Sequence, residues 1–136
     1  MSFNTAMETA VSGMRAQTKR LRVVAENLAN SDTTSATPGG DPYRRKTISF
    51  RSIVDRETGI AKVKVDKIGR DDSAFQTVYQ PGHPSADAEG YVLRPNVSRT
   101  VEIMDMQEAQ RSYEANLTLL TGAKNMLQRT IDLLRS

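Results

Sequence analysis

Met106, Tyr113, Leu120, Leu127 and Leu134 recur every seven residues through the last third of the chain. A period of seven held over four repeats is incompatible with a strand, and it predicts one long helix over residues 98–135. At about 1.5 Å per residue such a helix is on the order of 50 Å long. Leu117 and Ile131 fill intervening positions of the same seam, whereas Gln110 and Lys124 interrupt it. A single helix cannot cover an apolar stripe of this length, so the stripe demands a second surface.

The amino-terminal segment supplies one. Met7, Val11, Met14, Thr18, Leu21, Ala25 and Leu28 alternate by four and three, the spacing of a coiled-coil seam that favours left-handed supercoiling. A helix over 5–30 is expected, with Thr5 and Glu8 at capping-box spacing. Gly13 weakens that helix by about 1 kcal/mol but permits a close neighbour. The two seams are each other's most economical partners. One hairpin would still leave part of each stripe uncovered, and only 38% of the 136 residues are hydrophobic, with no Trp. Burial is therefore expected to be completed by tiling against copies or homologues.

Between the helices the period changes. Residues 30–42 are rich in Ser, Thr, Asp, Gly and Pro, which bond their own backbone or break regular structure, and they predict a long loop. From Tyr43 to Arg94 the pattern has period two: Ile48 and Phe50 alternate with Thr47 and Ser49, and Val63 and Val65 with Lys62 and Lys64. Turns are expected at Thr58-Gly59 and over 69–73. The predicted fold is α+β: long terminal helices pairing as a coiled-coil-like hairpin, with a small inserted antiparallel β lobe. Residues 1–32 and 98–136 form the expected assembly domain, and 33–97 the linker and lobe.

Several chemistries are disfavoured. With no Cys there is neither a disulfide nor a thiolate metal site. The 19 basic residues are scattered among 16 acidic ones, unlike a nucleic-acid-binding stripe. No apolar run approaches the roughly 20 residues needed to span a bilayer, and the first eight residues lack the features of a secretory signal. His83 lies near Asp87 and Glu89 but has no second His and no helical ligand spacing. It is expected to shape a Pro/Gly turn, in which Ser85 would be a solvated position that accepts a charge. No catalytic, metal or cofactor residue is assigned. Arg44, Arg45 and Lys46 are expected at a solvated strand start or in an inter-subunit ion pair. The methionines at 7, 14, 104, 106 and 126 suit an adaptable core filler.

With these elements placed, Ser12-Gly13-Met14-Arg15-Ala16-Gln17 and Leu21 through Thr33, closing on Asn27-Leu28-Ala29-Asn30, resemble the amino-terminal signature of the flagellar rod, hook and axial protein family. Val101 to Met106 with Ala109 to Asn116 resemble its carboxy-terminal counterpart. Pro42 to Lys46, the loop from His83-Pro84 to Tyr91-Val92, and Pro95-Asn96-Val97 resemble subunits of the proximal rod. The resemblance implies a structural, non-enzymatic subunit exported unfolded by the flagellar type III machinery. It would assemble in the periplasm with copies of itself, other rod proteins, and the inner-membrane ring and its adaptor protein. The terminal helices would form an inner tube and the lobe an outer layer. The seam residues Met7, Val11, Met14, Leu21, Ala25, Leu28, Met106, Tyr113, Leu117, Leu120, Leu127, Ile131 and Leu134 are the expected assembly surface. The rival reading is a coiled-coil adaptor or chaperone of a type III secretion system, which gives no reason for the lobe.

Overall fold

In the computed structural model, which describes residues 2–136, the first helix starts on Ser2. The Ser2 hydroxyl accepts the Thr5 N–H at 3.2 Å and its carbonyl the Ala6 N–H at 3.1 Å, satisfying two donors that a helix leaves open. Helix α1 therefore spans Phe3–Ala29. The expected Thr5–Glu8 box is not formed, because Ser2 caps from three residues upstream and the Glu8 carboxylate pairs with Lys62 at 3.3 Å instead. At the other end the Asn30 side chain donates to the Glu26 carbonyl at 2.9 Å and the breaker-rich loop begins. Helix α2, Arg99–Arg135, starts on Ser98, whose carbonyl accepts the Glu102 N–H at 3.0 Å.

Four strands lie between: β1 (Lys46–Val54), β2 (Ala61–Arg70), β3 (Gln76–Tyr79) and β4 (Tyr91–Arg94). They form two separate two-stranded sheets, β1-β2 and β3-β4. The β1-β2 ribbon is antiparallel, as the Asp55 N–H to Ile60 carbonyl and Asp71 N–H to Arg45 carbonyl bonds, each 2.9 Å, require. Its tip is tied by Asp55, whose carboxylate accepts the Glu57 and Thr58 N–H groups at 2.9 and 3.2 Å. Strand β2 runs through Gly69 and Arg70, so the expected turn over 69–73 begins only at Asp71, which accepts the Ser73 N–H at 2.8 Å. In the second sheet Tyr79 pairs with Tyr91, their rings edge to face at 5.2 Å. Gly90 has φ +90°, and a Cβ there would lie 2.9 Å from the Tyr79 ring; no other residue suits that position.

The chain divides into two compact units. One holds α1 up to Leu21, Ser49–Lys67 and Gln107–Ser136. Its buried residues are small: Ala10, Gly13, Ala16, Ala109 and Ala123, with Ile60 the one large aliphatic among them. Within it α1 and α2 are antiparallel, since Gly13 meets Asn116 and Arg20 meets Glu108 at 3.5 Å. A Cβ at Gly13 would stand 2.8 Å from the Asn116 amide nitrogen, so the helices approach as closely as a glycine allows. Strand β2 is held on α1 by hydroxyls: Thr9 donates to the Ala61 carbonyl at 3.1 Å, and Ser12 accepts the Val63 N–H at 3.2 Å.

The other unit holds 22–48 and 68–106. It buries Val23, Val24, Val92 and Val97, together with Asn27, Ser31, Ser85 and Glu102. Here the loop after α1 packs on the loop before β4, with the Gly39 N–H on the Ser85 carbonyl at 3.1 Å. The Ser85 hydroxyl bonds the Ser35 carbonyl and the Thr34 hydroxyl. Ser85 is only 4% exposed, which overturns its expected place on a solvated turn.

Candidate assembly surface

Two features of the chain stand out above the bare fold: a buried polar cluster in the second unit and an uncovered apolar stripe in the first.

The cluster centres on Asn27, near the end of α1. Its amide nitrogen donates to the Lys46 carbonyl at 2.9 Å and to Glu102 at 3.3 Å. Its oxygen accepts the Lys46 N–H at 2.9 Å and the Tyr43 hydroxyl at 2.8 Å. Both donors and both lone pairs of the amide are thus used, which is what permits its complete burial. Glu102, on the first turn of α2, is 0% exposed. The Arg45 guanidinium meets it through Nε, and reaches Asp71 at 3.4 Å and Asp105 at 3.7 Å through its other nitrogens. Lys46 pairs with Glu26. Arg44 donates to the carbonyls of Asp71 and Ser73 at 2.7 and 3.1 Å and lies 4.2 Å from the Phe75 ring centre. The three basic residues are therefore half-buried and engaged inside this unit, not at the solvated strand start expected of them. A strand start packed against two helix termini turns them inward, where carboxylates and carbonyls already wait.

The electrostatics follow these contacts. The Ser73 backbone N–H and hydroxyl, then Arg45, hold the Asp71 carboxyl below the usual range. The Lys46 ammonium does the same for Glu26, whereas burial pushes the Tyr43 hydroxyl up. Each carboxylate of the cluster has a cationic partner within it, Glu102, Asp71 and Asp105 on Arg45 and Glu26 on Lys46, so the cluster ties three segments together. The loop of His83 is likewise turned on itself: the His83 ring accepts the Ser85 N–H at 3.0 Å, and Asp87 accepts the N–H groups of Glu89 and Tyr91, each at 2.9 Å.

The helical seam lies beside the pairing faces. Met7, Val11, Met14, Leu21 and Leu28 are half-buried and Ala25 is exposed. Met106, Tyr113, Leu120 and Leu127 are half-buried, while Leu117, Ile131 and Leu134 are exposed. The fully buried helical positions of this unit are instead Ala10, Gly13, Ala16, Ala109 and Ala123, and at Gly13 the missing side chain is what lets α2 come in at Asn116. A second stripe on α2 escaped the sequence reading: Ala115, Leu119, Gly122, Met126 and Leu133, all exposed. Leu119, Met126 and Leu133 are 65%, 59% and 76% exposed. The signal was present, since these three are also spaced by seven, but the neighbouring Leu120–Leu127–Leu134 row masked it. From Ala115 to Met126 small residues alternate with large ones at four-three spacing, a pattern suited to knobs and holes for another helix; Arg129 then interrupts the row before Leu133, and such an exposed row is a candidate interaction surface.

Comparison with known proteins bears on this arrangement. Residues 7–37 match the family described as "Flagella basal body rod protein", and residues 88–133 match "Flagellar basal body rod FlgEFG protein C-terminal". The chain is 47% identical over 134 residues to the flagellar basal-body rod protein FlgC of Agrobacterium fabrum, covering 98% of this chain and 96% of that one. It is 40% identical to FlgC of Bacillus subtilis, over 94% of this chain and 95% of the relative. With FlgC of Salmonella typhimurium the identity is 41%, over 98% of each chain.

Proposed function

This chain belongs to the family of the flagellar basal-body rod protein FlgC, and on that footing we propose that it is a structural subunit of the flagellar rod. The family is structural, and the subunit works by packing, not by catalysis. The observation that carries the reading is the exposed Leu119–Met126–Leu133 row on α2, which a solitary chain leaves wet and a polymer covers. On the same helix Leu120, Leu127 and Leu134 each follow a residue of that row and flank it, and the terminal segments 1–32 and 98–136 serve as the assembly domain and 33–97 as the lobe.

The subunit crosses into the periplasm unfolded through the flagellar type III machinery. It then takes its place beside copies of itself and other rod proteins, next to the inner-membrane ring and its adaptor protein. The terminal helices form the inner tube and the ribbon and small sheet the outer layer. Among the described residues no helix is long and apolar enough to cross a membrane, in keeping with a subunit held by protein contacts. An adaptor or chaperone of a secretion system would use paired helices too, but that reading leaves the lobe without a purpose. The test is to place Leu119→Asp or Met126→Asp in cells lacking the wild-type gene. Both positions are exposed, so the subunit should fold and be exported while intact basal bodies, counted by electron microscopy, disappear. Normal numbers of rods would remove the stripe from the assembly and the reading with it.

A further inference from the structure

Within the first unit a groove opens between the outer face of α1 and strand β2. It encloses about 720 Å³. Its floor is apolar, from Met7, Val11 and Ala16 on one side and Val63 and Val65 on the other. The positions lining it on α1 run from Met7 to Lys19, about 18 Å at 1.5 Å per residue, or some three turns of a helix laid alongside. Its rim is basic. Arg15, Lys19 and Lys64 are all exposed, and none takes part in an ion pair among the described residues. Lys62 is already engaged by Glu8 at 3.3 Å and Asp55 at 3.4 Å.

An apolar trough with a basic rim asks for an apolar helix face flanked by carboxylates. The exposed stripe of a second copy does not meet that description. Along it, from residue 115 onward, Lys124, Arg129 and Arg135 stand against Asp132 alone, so the stripe would bring like charge to the rim. We infer that this groove receives an acidic amphipathic helix of a different protein, making it a contact with an unlike neighbour and not with another copy of this chain. The inference rests on the rod reading and adds to it the chemistry of one partner: apolar residues three and four apart facing Met7, Val11, Val63 and Val65, with Glu or Asp beside them to meet Arg15, Lys19 and Lys64.

The experiment reverses the rim. In cells lacking the wild-type gene, the full-length variant Arg15→Glu/Lys19→Glu/Lys64→Glu is compared with wild type and with no gene at all, counting intact basal bodies. All three side chains are exposed, so the variant's thermal unfolding should match wild type. Like charges across an interface are costly, and a fall of about tenfold or more in intact rods is expected. Rods lost without the gene but at wild-type number with the variant would overturn the groove while sparing the rod reading. Rods unaffected by loss of the gene would sink the rod reading itself. Suppressors of the variant decide the occupant. Acidic-to-basic changes on a helix of another protein support the inference, and compensating changes at Glu108, Glu114 or Asp132 of this chain overturn it in favour of a second copy.

Discussion

Arg45→Met should be among the most damaging single substitutions in the chain. Glu102 is fully buried, and without Arg45 its carboxylate keeps only the Asn27 amide, at 3.3 Å. Removing one partner of a buried ion pair costs roughly 3–5 kcal/mol, because the surviving charge has lost both water and its counter-ion. That is a large part of the ~5–15 kcal/mol that stabilises an ordinary domain. The neighbouring contacts are smaller: Asp71 is partly exposed and 3.4 Å away, so Asp71→Ala should cost less than about 1 kcal/mol through that pair. The double variant Arg45→Met/Glu102→Leu removes both charges and fills the space with apolar atoms, an exchange that is often neutral. It should therefore be more stable than Arg45→Met alone. Urea unfolding of the purified chain, followed by circular dichroism, measures all of these. A cost below about 1 kcal/mol for Arg45→Met, or a double variant as unstable as the sum of the two singles, would refute the argument that Glu102 depends on this guanidinium.

Three further outcomes are expected. Gly13→Ala gains about 1 kcal/mol of helix propensity but displaces the Asn116 amide, so alone it should be near neutral, whereas Gly13→Ala/Asn116→Ala should stabilise; a destabilised double variant in thermal unfolding would show that more than Asn116 limits the approach. Ser85→Asp buries a charge against the Ser35 carbonyl and should cost about 2 kcal/mol or more, with loss of amide protection at Gly39; an unchanged unfolding midpoint would return Ser85 to solvent. Asp71 and Glu26 are held below their ordinary values by Ser73 and Lys46 respectively. They thus contribute stability that is present above about pH 4 and lost as pH falls through the lowered values. Unfolding midpoints followed from pH 7 to pH 2 should fall in that window, and Asp71→Asn should flatten the fall.

The helices were legible because period seven runs from Met7 to Leu28 and from Met106 to Leu134, through most of helices of 27 and 37 residues, long enough for a few polar interruptions not to matter. The strands were legible from alternation, but not their ends: Gly69 looks like a breaker and is absorbed into β2. What the period could not show is which face would pair. Hydrophobic patterning weights Leu and Met and gives Ala and Gly little signal, while the fully buried helical positions include Ala10, Gly13, Ala109 and Ala123. Charge was misjudged for a related reason. Arg44, Arg45 and Lys46 look solvated beside Tyr43 in the sequence, and only the fold brings Glu26, Asp71 and Glu102 to them. Ser85 is tied to residues some 50 positions away, a separation that local turn chemistry cannot reveal.

The fully buried positions of the first unit are mostly small, many of its larger side chains are half-buried, and Leu119, Met126 and Leu133 stand outward. In the stack proposed above, the exposed share of its large side chains would be covered only when neighbours arrive, so part of the order of that unit would follow mass action. In such a stack a subunit flanked on every side would hold its helices more firmly than one at the growing end, where Leu119, Met126 and Leu133 are still wet. Growth and fraying would then concentrate at the same place, the tip. The stack would be most durable where it is oldest and most responsive where it is newest.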